Sequence, residues 1–459
     1  MKHYDLVVLG GGSAGYAGAR TAKELGKSVA IVDHAEELGG LCILHGCMPS
    51  KTLIYSAEVL HLAKKAKTFG LKISDACADF SALQLRKKKI IKEFQQYRTG
   101  QLEDGRFDLY RNFARFTGNQ EITLDNGTIL NAEKFLVATG SSIATPPVPG
   151  LSKLPVLTSN DILSLDRQLD SIIVLGGGIV ACELSQFLQR TGTSTSLIQR
   201  HHHILKSWSP EVSAVVENAF IAEGMNLHTA TSNLRLEKTD VGFAATFEQG
   251  GKSIRLEADH LLNALGRIPN TEGLNLDAAG VRIRSSGHIE TNGLQQSSNP
   301  AIYAAGDCAG PHEIVHIAIL QGECAVKHAF GWKTAPMDYD PLLLVVFTDP
   351  QAAVVGLTEN QLKKRNIPCL TEAYPFDDHG KSILMEAKKG YVKVIAHKKT
   401  GQVLGAECVG KDAGELIHPM SIAVSLKAKV QDLARAHWYH PTLSEIWSYP
   451  LENLSEAIE

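Results

Sequence analysis

The sequence predicts an α/β protein, and three observations carry that assignment. A strand pattern leads into a glycine-rich turn, a helix pattern and a second strand at residues 4–33, and the same order returns at residues 171–199. Beyond residue 390 two strand-like stretches, 390–395 and 403–410, precede a helix pattern at 413–428. The chain has 459 residues, which at roughly 150 residues per domain suits about three domains. The expected architecture is two Rossmann-like nucleotide-binding domains plus a C-terminal α+β domain.

Composition narrows the function. Apolar residues make up 44% and charged residues 21%, an ordinary globular balance unlike that of disordered or fibrous chains. The net charge is −3, from 46 Lys and Arg against 49 Asp and Glu, and no basic face stands out, so no nucleic-acid partner is expected. No apolar run reaches the ~18 residues that suggest a membrane span. The strand pattern Tyr4-Asp5-Leu6-Val7-Val8-Leu9 begins almost at once, with no targeting pattern ahead of it. A cytoplasmic protein without a membrane partner is expected. The basic run Arg86-Lys87-Lys88-Lys89 lies in a helix pattern and reads as a solvated face.

The first turn is Gly10-Gly11-Gly12-Ser13-Ala14-Gly15. Gly10, Gly12 and Gly15 fit G-x-G-x-x-G, in which backbone approaches a pyrophosphate and the following helix N-terminus stabilises its charge. Helix 13–26 follows, with Ala14, Ala17, Ala19, Ala22 and Leu25 as small and apolar contacts. Strand 28–32 ends at Asp33, about 20 residues on, where an acid accepts from a ribose 2′-hydroxyl.

The second turn is Gly176-Gly177-Gly178-Ile179-Val180-Ala181, with Ala181 in the third glycine's place. The position equivalent to Asp33 is Gln199, and Arg200, His201 and Lys206 follow. A missing acid beside local cations suits an adenosine 2′-phosphate. This site is therefore expected to take NADPH, with NADH as the alternative. A solvated loop is the bland reading of residues 200–203, and a metal site is not expected there or elsewhere. Two dinucleotide sites in one chain suggest an electron relay, one dinucleotide tightly held and the other visiting.

Eight cysteines are present. Cys77, Cys182, Cys308, Cys324, Cys369 and Cys408 are scattered and read as buried free thiols. Cys42 and Cys47 lie in Gly39-Gly40-Leu41-Cys42-Ile43-Leu44-His45-Gly46-Cys47-Met48-Pro49-Ser50-Lys51. A helix pattern then runs to about residue 67, and Pro49, tolerated only in a first turn, starts that helix near Cys47. Residues five apart in a regular helix have Cα atoms roughly 8–9 Å apart, whereas a disulfide needs about 4.4–6.8 Å. A bridge therefore requires a distorted helix, and Gly46 helps the chain bend. Such a bridge would be readily reduced, which suits a catalytic disulfide, and the helix N-terminus favours a Cys47 thiolate. Zinc and a pair of inert thiols are the competing readings, although no second Cys/His pair follows at finger spacing.

With these markers on view, the sequence resembles the class I pyridine nucleotide–disulfide oxidoreductases, which include dihydrolipoamide dehydrogenase, glutathione reductase and mercuric reductase. The markers arrive in family order: the first turn, the Cys42 to Lys51 loop, Ala138-Thr139-Gly140, residues 176–183, Ala264-Leu265-Gly266-Arg267, Ala305-Gly306-Asp307 and His440-Pro441-Thr442-Leu443-Ser444-Glu445. The resemblance implies an FAD-binding domain over 1–150 and 271–340, an NAD(P)H-binding domain over 151–270 and a dimerisation domain over 341–459. It implies FAD in the first site, bordered by Gly40, Thr139 and Gly140, with Asp307 reaching the flavin chain, and places Gly266 with the cofactor-binding residues. It implies a Cys42–Cys47 redox disulfide, Cys47 facing the flavin and Cys42 exchanging with substrate. Lys51 and Glu183 match a pair beside the flavin's reactive nitrogen. His440 and Glu445 match an acid–base dyad that serves the other subunit's disulfide, so a homodimer is implied.

Some positions depart from the family pattern. Leu41 and Leu44 stand where Thr and Asn are common, and His45 lies between the cysteines, where it is expected either to face solvent or to bias thiolate stability. The C-terminal vicinal cysteine pair typical of mercuric reductases is absent, as is their N-terminal metal-binding module, so mercuric ion is not the expected substrate. The Phe347-Thr348-Asp349-Pro350-Gln351 segment nonetheless resembles that subgroup. Arg20 matches a position that glutathione reductase uses for a substrate carboxylate, while Pro49-Ser50-Lys51 and the 440–445 segment look closer to dihydrolipoamide dehydrogenase. The expected activity is that of a dihydrolipoamide dehydrogenase-like reductase preferring NADPH, with a glutathione reductase-like small-disulfide reductase or a mercuric reductase-like metal-ion reductase as the alternatives. Its substrate would be a small or protein-bound disulfide or dithiol, including one on a separate lipoyl carrier protein.

Overall fold

The structure, a computed structural model, describes residues 2–458. It divides into two compact units, Met1–Leu53 with Ser81–Ala144 and Gly266–Asp338, and Ile54–Phe80 with Thr145–Leu265 and Tyr339–Glu459.

The first unit is built on a parallel sheet in the order Asp108–Tyr110, Val29–Val32, Lys2–Leu9, Ile129–Val137 and Ile302–Ala304. The antiparallel strands Glu121–Leu124 and Ala114–Gly118 extend it beyond Ile129–Val137. Val7 and Leu9 face one apolar cluster while Leu6 and Val8 face another. Both faces are therefore covered, which is why this parallel strand reads as an unbroken apolar run. Helix Ser13–Glu24 packs on the sheet through small residues; Ala14, Ala17, Ala19 and Ala22 are buried.

The second unit holds the parallel sheet Asn226–His228, Ser194–Ile198, Ser171–Leu175 and His260–Asn263. An antiparallel sheet of Ser232–Lys238, Phe243–Gln249 and Lys252–Ala258 shares an apolar cluster with it. The same unit contains the five-stranded antiparallel sheet Leu343–Val346, Gln351–Gly356, Val403–Gly410, Tyr391–His397 and Cys369–Pro375. The strands expected at 390–395 and 403–410 are thus direct neighbours.

Three expectations need correction. The helix read over 413–428 is two helices, Ala413–Leu416 and His418–Ser425. Pro419 sits in the first turn of the second, where its missing N–H is tolerated; inside one continuous helix it would remove a hydrogen bond. In the basic run, Arg86, Lys88 and Lys89 are exposed on helix Phe80–Glu103, but Lys87 is buried. Burial pushes its ammonium below the ordinary lysine range. Of the scattered cysteines, Cys182, Cys308, Cys324 and Cys408 are buried thiols as read, whereas Cys369 is half-buried and Cys77 is exposed.

Candidate active site

Both glycine-rich turns lie between a strand end and a helix N-terminus, as their spacing requires. Gly10 has φ +101°, and a Cβ there would lie 2.4 Å from the Ala138 carbonyl oxygen. Gly176 repeats this with φ +114° and 2.5 Å to the Ala264 oxygen. The neighbouring strand end is thus pressed against each turn, which gives Ala138-Thr139-Gly140 and Ala264-Leu265-Gly266 the same physical role. The Thr139 hydroxyl donates to the Asn270 carbonyl at 2.6 Å and Asn270 N–H donates to the Gly140 oxygen at 2.9 Å, so these residues tie down the rim of the first site.

Gly12 caps helix Ser13–Glu24 without a side-chain cap, leaving first-turn N–H groups for ligand oxygens. Asp33 is fixed beside the turn: Gly11 N–H donates to Oδ2 at 2.7 Å and Ala35 N–H to Oδ1 at 2.9 Å. A Cβ on Gly40 would lie 2.8 Å from Gly12 Cα, so the approach between these two backbones is open only to glycine. Asp307 accepts from the Ser141 hydroxyl at 2.5 Å, and Arg267 donates to the Ser141 hydroxyl oxygen and carbonyl at 2.7 and 2.6 Å. Burial raises the nearby Glu313 carboxyl, with the Asp307 charge adding to it. A bare glycine cradle, a helix N-terminus, an anchored ribose acceptor and Asp307 fit FAD in this unit. The Ser141–Arg267 tether escaped the sequence reading because its members are far apart in the chain.

The cysteine loop shows the required distortion. Helix Gly40–Leu44 ends at His45, and helix Cys47–Lys64 begins at the second cysteine, as Pro49 indicated. His45 is exposed. Cys42 and Cys47 are both half-buried. A hydrogen bond with Cys47 pushes the Cys42 thiol well above the ordinary cysteine range; burial and the Cys47 charge add to this, and Lys51 opposes it. Cys47 opens its helix, where the N-terminus favours a negative sulfur.

In the second unit, Gly178 caps helix Ile179–Arg190 without a side-chain cap, and Ala181 is buried in the first turn. Gln199 is buried and leans over Gly177; its Nε2 would lie 2.5 Å from a Cβ placed there. Asp33 Oδ2 leans over Gly11 in the same way at 3.0 Å. The sequence count therefore found the equivalent position. Arg200 and Lys206 are exposed and His201 is half-buried. Burial, then the Lys206 and Arg200 charges, lower His201 below the ordinary histidine range, so these three residues share one cationic loop. Glu183, on the same helix, is buried and accepts from Phe347 N–H at 3.0 Å.

The dyad lies in the C-terminal part of this unit. His440 Nδ1 is 3.0 Å from both carboxylate oxygens of Glu445. Glu445 is buried while the His440 side chain is 77% exposed, so the ring's Nε2 edge is the reachable one. Trp447 is fully buried and donates through Nε1 to the Leu416 oxygen at 2.8 Å, anchoring the turn that carries Glu445. A second histidine, His379, approaches the same carboxylate at 3.3 Å and is wholly buried. It stands alone between Asp378 and Gly380, with no sequence signal pointing to Glu445. Among the described residues, no group of three or more His, Cys, Asp or Glu could hold a metal, and no helix is long and apolar enough to cross a membrane.

Residues 4–322 match the family described as pyridine nucleotide-disulphide oxidoreductase, and residues 343–449 match its dimerisation domain. A dihydrolipoyl dehydrogenase of Thermus scotoductus is 36% identical over 97% of this chain and 96% of its own. A mercuric reductase of Lysinibacillus sphaericus is 34% identical over 96% of this chain and 81% of its own. The crystal structure of LpdA from Mycobacterium tuberculosis superposes with a TM-score of 0.88 at 25% identity, covering 99% of this chain and 100% of that one.

Proposed function

The chain belongs to the pyridine nucleotide-disulphide oxidoreductases, FAD-dependent enzymes that use NAD(P)H and pair through the dimerisation domain, and on that premise we propose that it is an NADPH-preferring, dihydrolipoamide dehydrogenase-like reductase. One observation carries this reading: a cysteine pair whose second member opens a helix lies in the same compact unit as the glycine cradle and Asp33.

FAD, when bound, supplies two-electron transfer between nicotinamide and the sulfur pair. The first glycine turn and helix N-terminus would hold its pyrophosphate, Asp33 would accept from its ribose, and Asp307 would reach the flavin chain. The family pattern would assign a flavin-side role to Lys51 and to Glu183. Cys42 attacks as a thiolate, and removing its proton is the work of His440 from the other subunit, oriented by Glu445. The Cys42 thiolate then displaces one sulfur of the substrate disulfide and forms a mixed disulfide. The Cys47 thiolate attacks Cys42, closing the Cys42–Cys47 bond and expelling the second substrate sulfur, with His440 returning the proton. Gln199, in place of an acid, and the Arg200, His201 and Lys206 loop favour the 2′-phosphate of NADPH.

Mercuric ion is the second reading, favoured by mercuric reductases similar over nearly the whole chain and by the 347–351 segment. One matrix tests both: NADH or NADPH against oxidised lipoamide, glutathione disulfide and mercuric ion. Fastest turnover with NADPH and lipoamide supports the first reading. A rate dependent on mercuric ion, with inert disulfides, would replace it.

A further inference from the structure

We propose that His379 is a positioning residue for the dyad, holding Glu445 from the buried side so that both of its carboxylate oxygens face His440. His379 lies just past strand Cys369–Pro375, and its side chain has no exposure. Its Nδ1 is 2.8 Å from the Ser382 hydroxyl, itself fully buried. Its Nε2 faces Glu445 Oε1 at 3.3 Å, buried but off-line for a hydrogen bond, so the contact as it stands is electrostatic. The Tyr449 ring lies edge-on to the imidazole at 6.3 Å.

These contacts select a tautomer. If the Ser382 hydroxyl donates to Nδ1, Nε2 carries the hydrogen and meets the carboxylate favourably. The opposite tautomer would set a lone pair against a carboxylate oxygen. Burial lowers the imidazole's affinity for a second proton, as does His440, while Glu445 opposes them. A neutral ring leaves the Glu445 charge for His440, whereas a charged one would compete for it. The chain Ser382–His379–Glu445–His440 therefore runs from a buried hydroxyl to a solvent-facing imidazole, with each member restricting the next.

This inference rests on the reading of His440 and Glu445 as the acid–base dyad. The test uses FAD-loaded protein with NADPH and oxidised lipoamide. His379→Leu, His379→Gln and Ser382→Ala are made singly and in a His440→Gln background. In parallel, carbethoxylation of His440 by diethyl pyrocarbonate is timed by mass spectrometry, which needs no turnover. The expected result for His379→Leu is a kcat loss on the order of tenfold, with KM changed far less and slower modification of His440. His379→Gln, which keeps an N–H, restores most of both. Ser382→Ala shows a smaller loss and covers the case in which the leucine variant does not fold. In the His440→Gln background each substitution should cost less than about twofold. Equal losses in both backgrounds, no rescue by glutamine, or unchanged modification of His440 would overturn the role of His379 alone. Full turnover in His440→Gln itself would overturn the dyad reading and the role of His379 together.

Discussion

Gln199→Glu gives the sharpest test of how the second nucleotide site selects its cofactor. The substitution changes an amide to a carboxylate of the same length at a buried position leaning over Gly177. There it would stand as Asp33 stands over Gly11, ready to accept from a free ribose 2′-hydroxyl. Against a 2′-phosphate it places like charge on like charge. Two unit charges about 4 Å apart at an effective dielectric near 20 interact by about 4 kcal/mol. Exposed Arg200 and Lys206 and the solvent at the loop reduce this, and roughly 1–3 kcal/mol is a fair expectation after screening. That corresponds to a ratio of kcat/KM for NADPH over NADH reduced on the order of 10- to 100-fold. The assay is steady-state oxidation of each nucleotide with a saturating disulfide. The reasoning is refuted if the ratio stays constant, or if the wild-type protein already favours NADH.

Three further outcomes follow from the same geometry. Cys42→Ser should abolish disulfide turnover while NADPH still bleaches the flavin in anaerobic stopped flow; unchanged turnover would remove Cys42 from the exchange step. Gly10→Ala should cost about 2–5 kcal/mol of stability, from a strained positive φ and a methyl group driven into the Ala138 carbonyl; a urea midpoint equal to wild type would contradict the packing described. His61 is held down to about 4, by burial first and by the Arg190 charge next. The unfolded chain therefore binds a proton in the window between about pH 6.5 and 4 that the folded chain refuses, and stability should fall as pH falls through it, by up to about 3 kcal/mol. Urea melts at pH 7 and 4.5 should show a smaller loss in His61→Gln, and an equal loss would show that His61 is not responsible.

Much of the site was legible because its chemistry is local. Glycine turns, the helix start at Pro49 and the offset from Gly12 to Asp33 are short-range constraints, and counting the same offset from Gly178 found Gln199. What was missed depends on distant strands and packing. His379 and Glu445 meet because helix Ser448–Ile458, which follows Glu445, packs against strand Cys369–Pro375, which precedes His379; neither neighbourhood in the sequence names the other. Lys87 reads as solvated from the charges around it, yet its helix turns that one position inward beside buried Gln84. The helix over 413–428 had the right apolar stripe, with Leu416, Ile417, Met420 and Ala423 buried, but its periodicity concealed the break at Pro419. The boundary inside helix Cys47–Lys64, where residues from Ile54 on group with the second unit, carries no turn or composition signal at all.

The central claim is that electrons leave the flavin for the sulfur pair at positions 42 and 47. Anaerobic titration of the oxidised FAD-loaded protein with NADPH, with thiols trapped by an alkylating agent and located by mass spectrometry, measures this directly. The expected result is uptake of a second electron pair beyond that of the flavin, with new labels on Cys42 and Cys47. Uptake that stops at the flavin, with no gain of label at either cysteine, would contradict it.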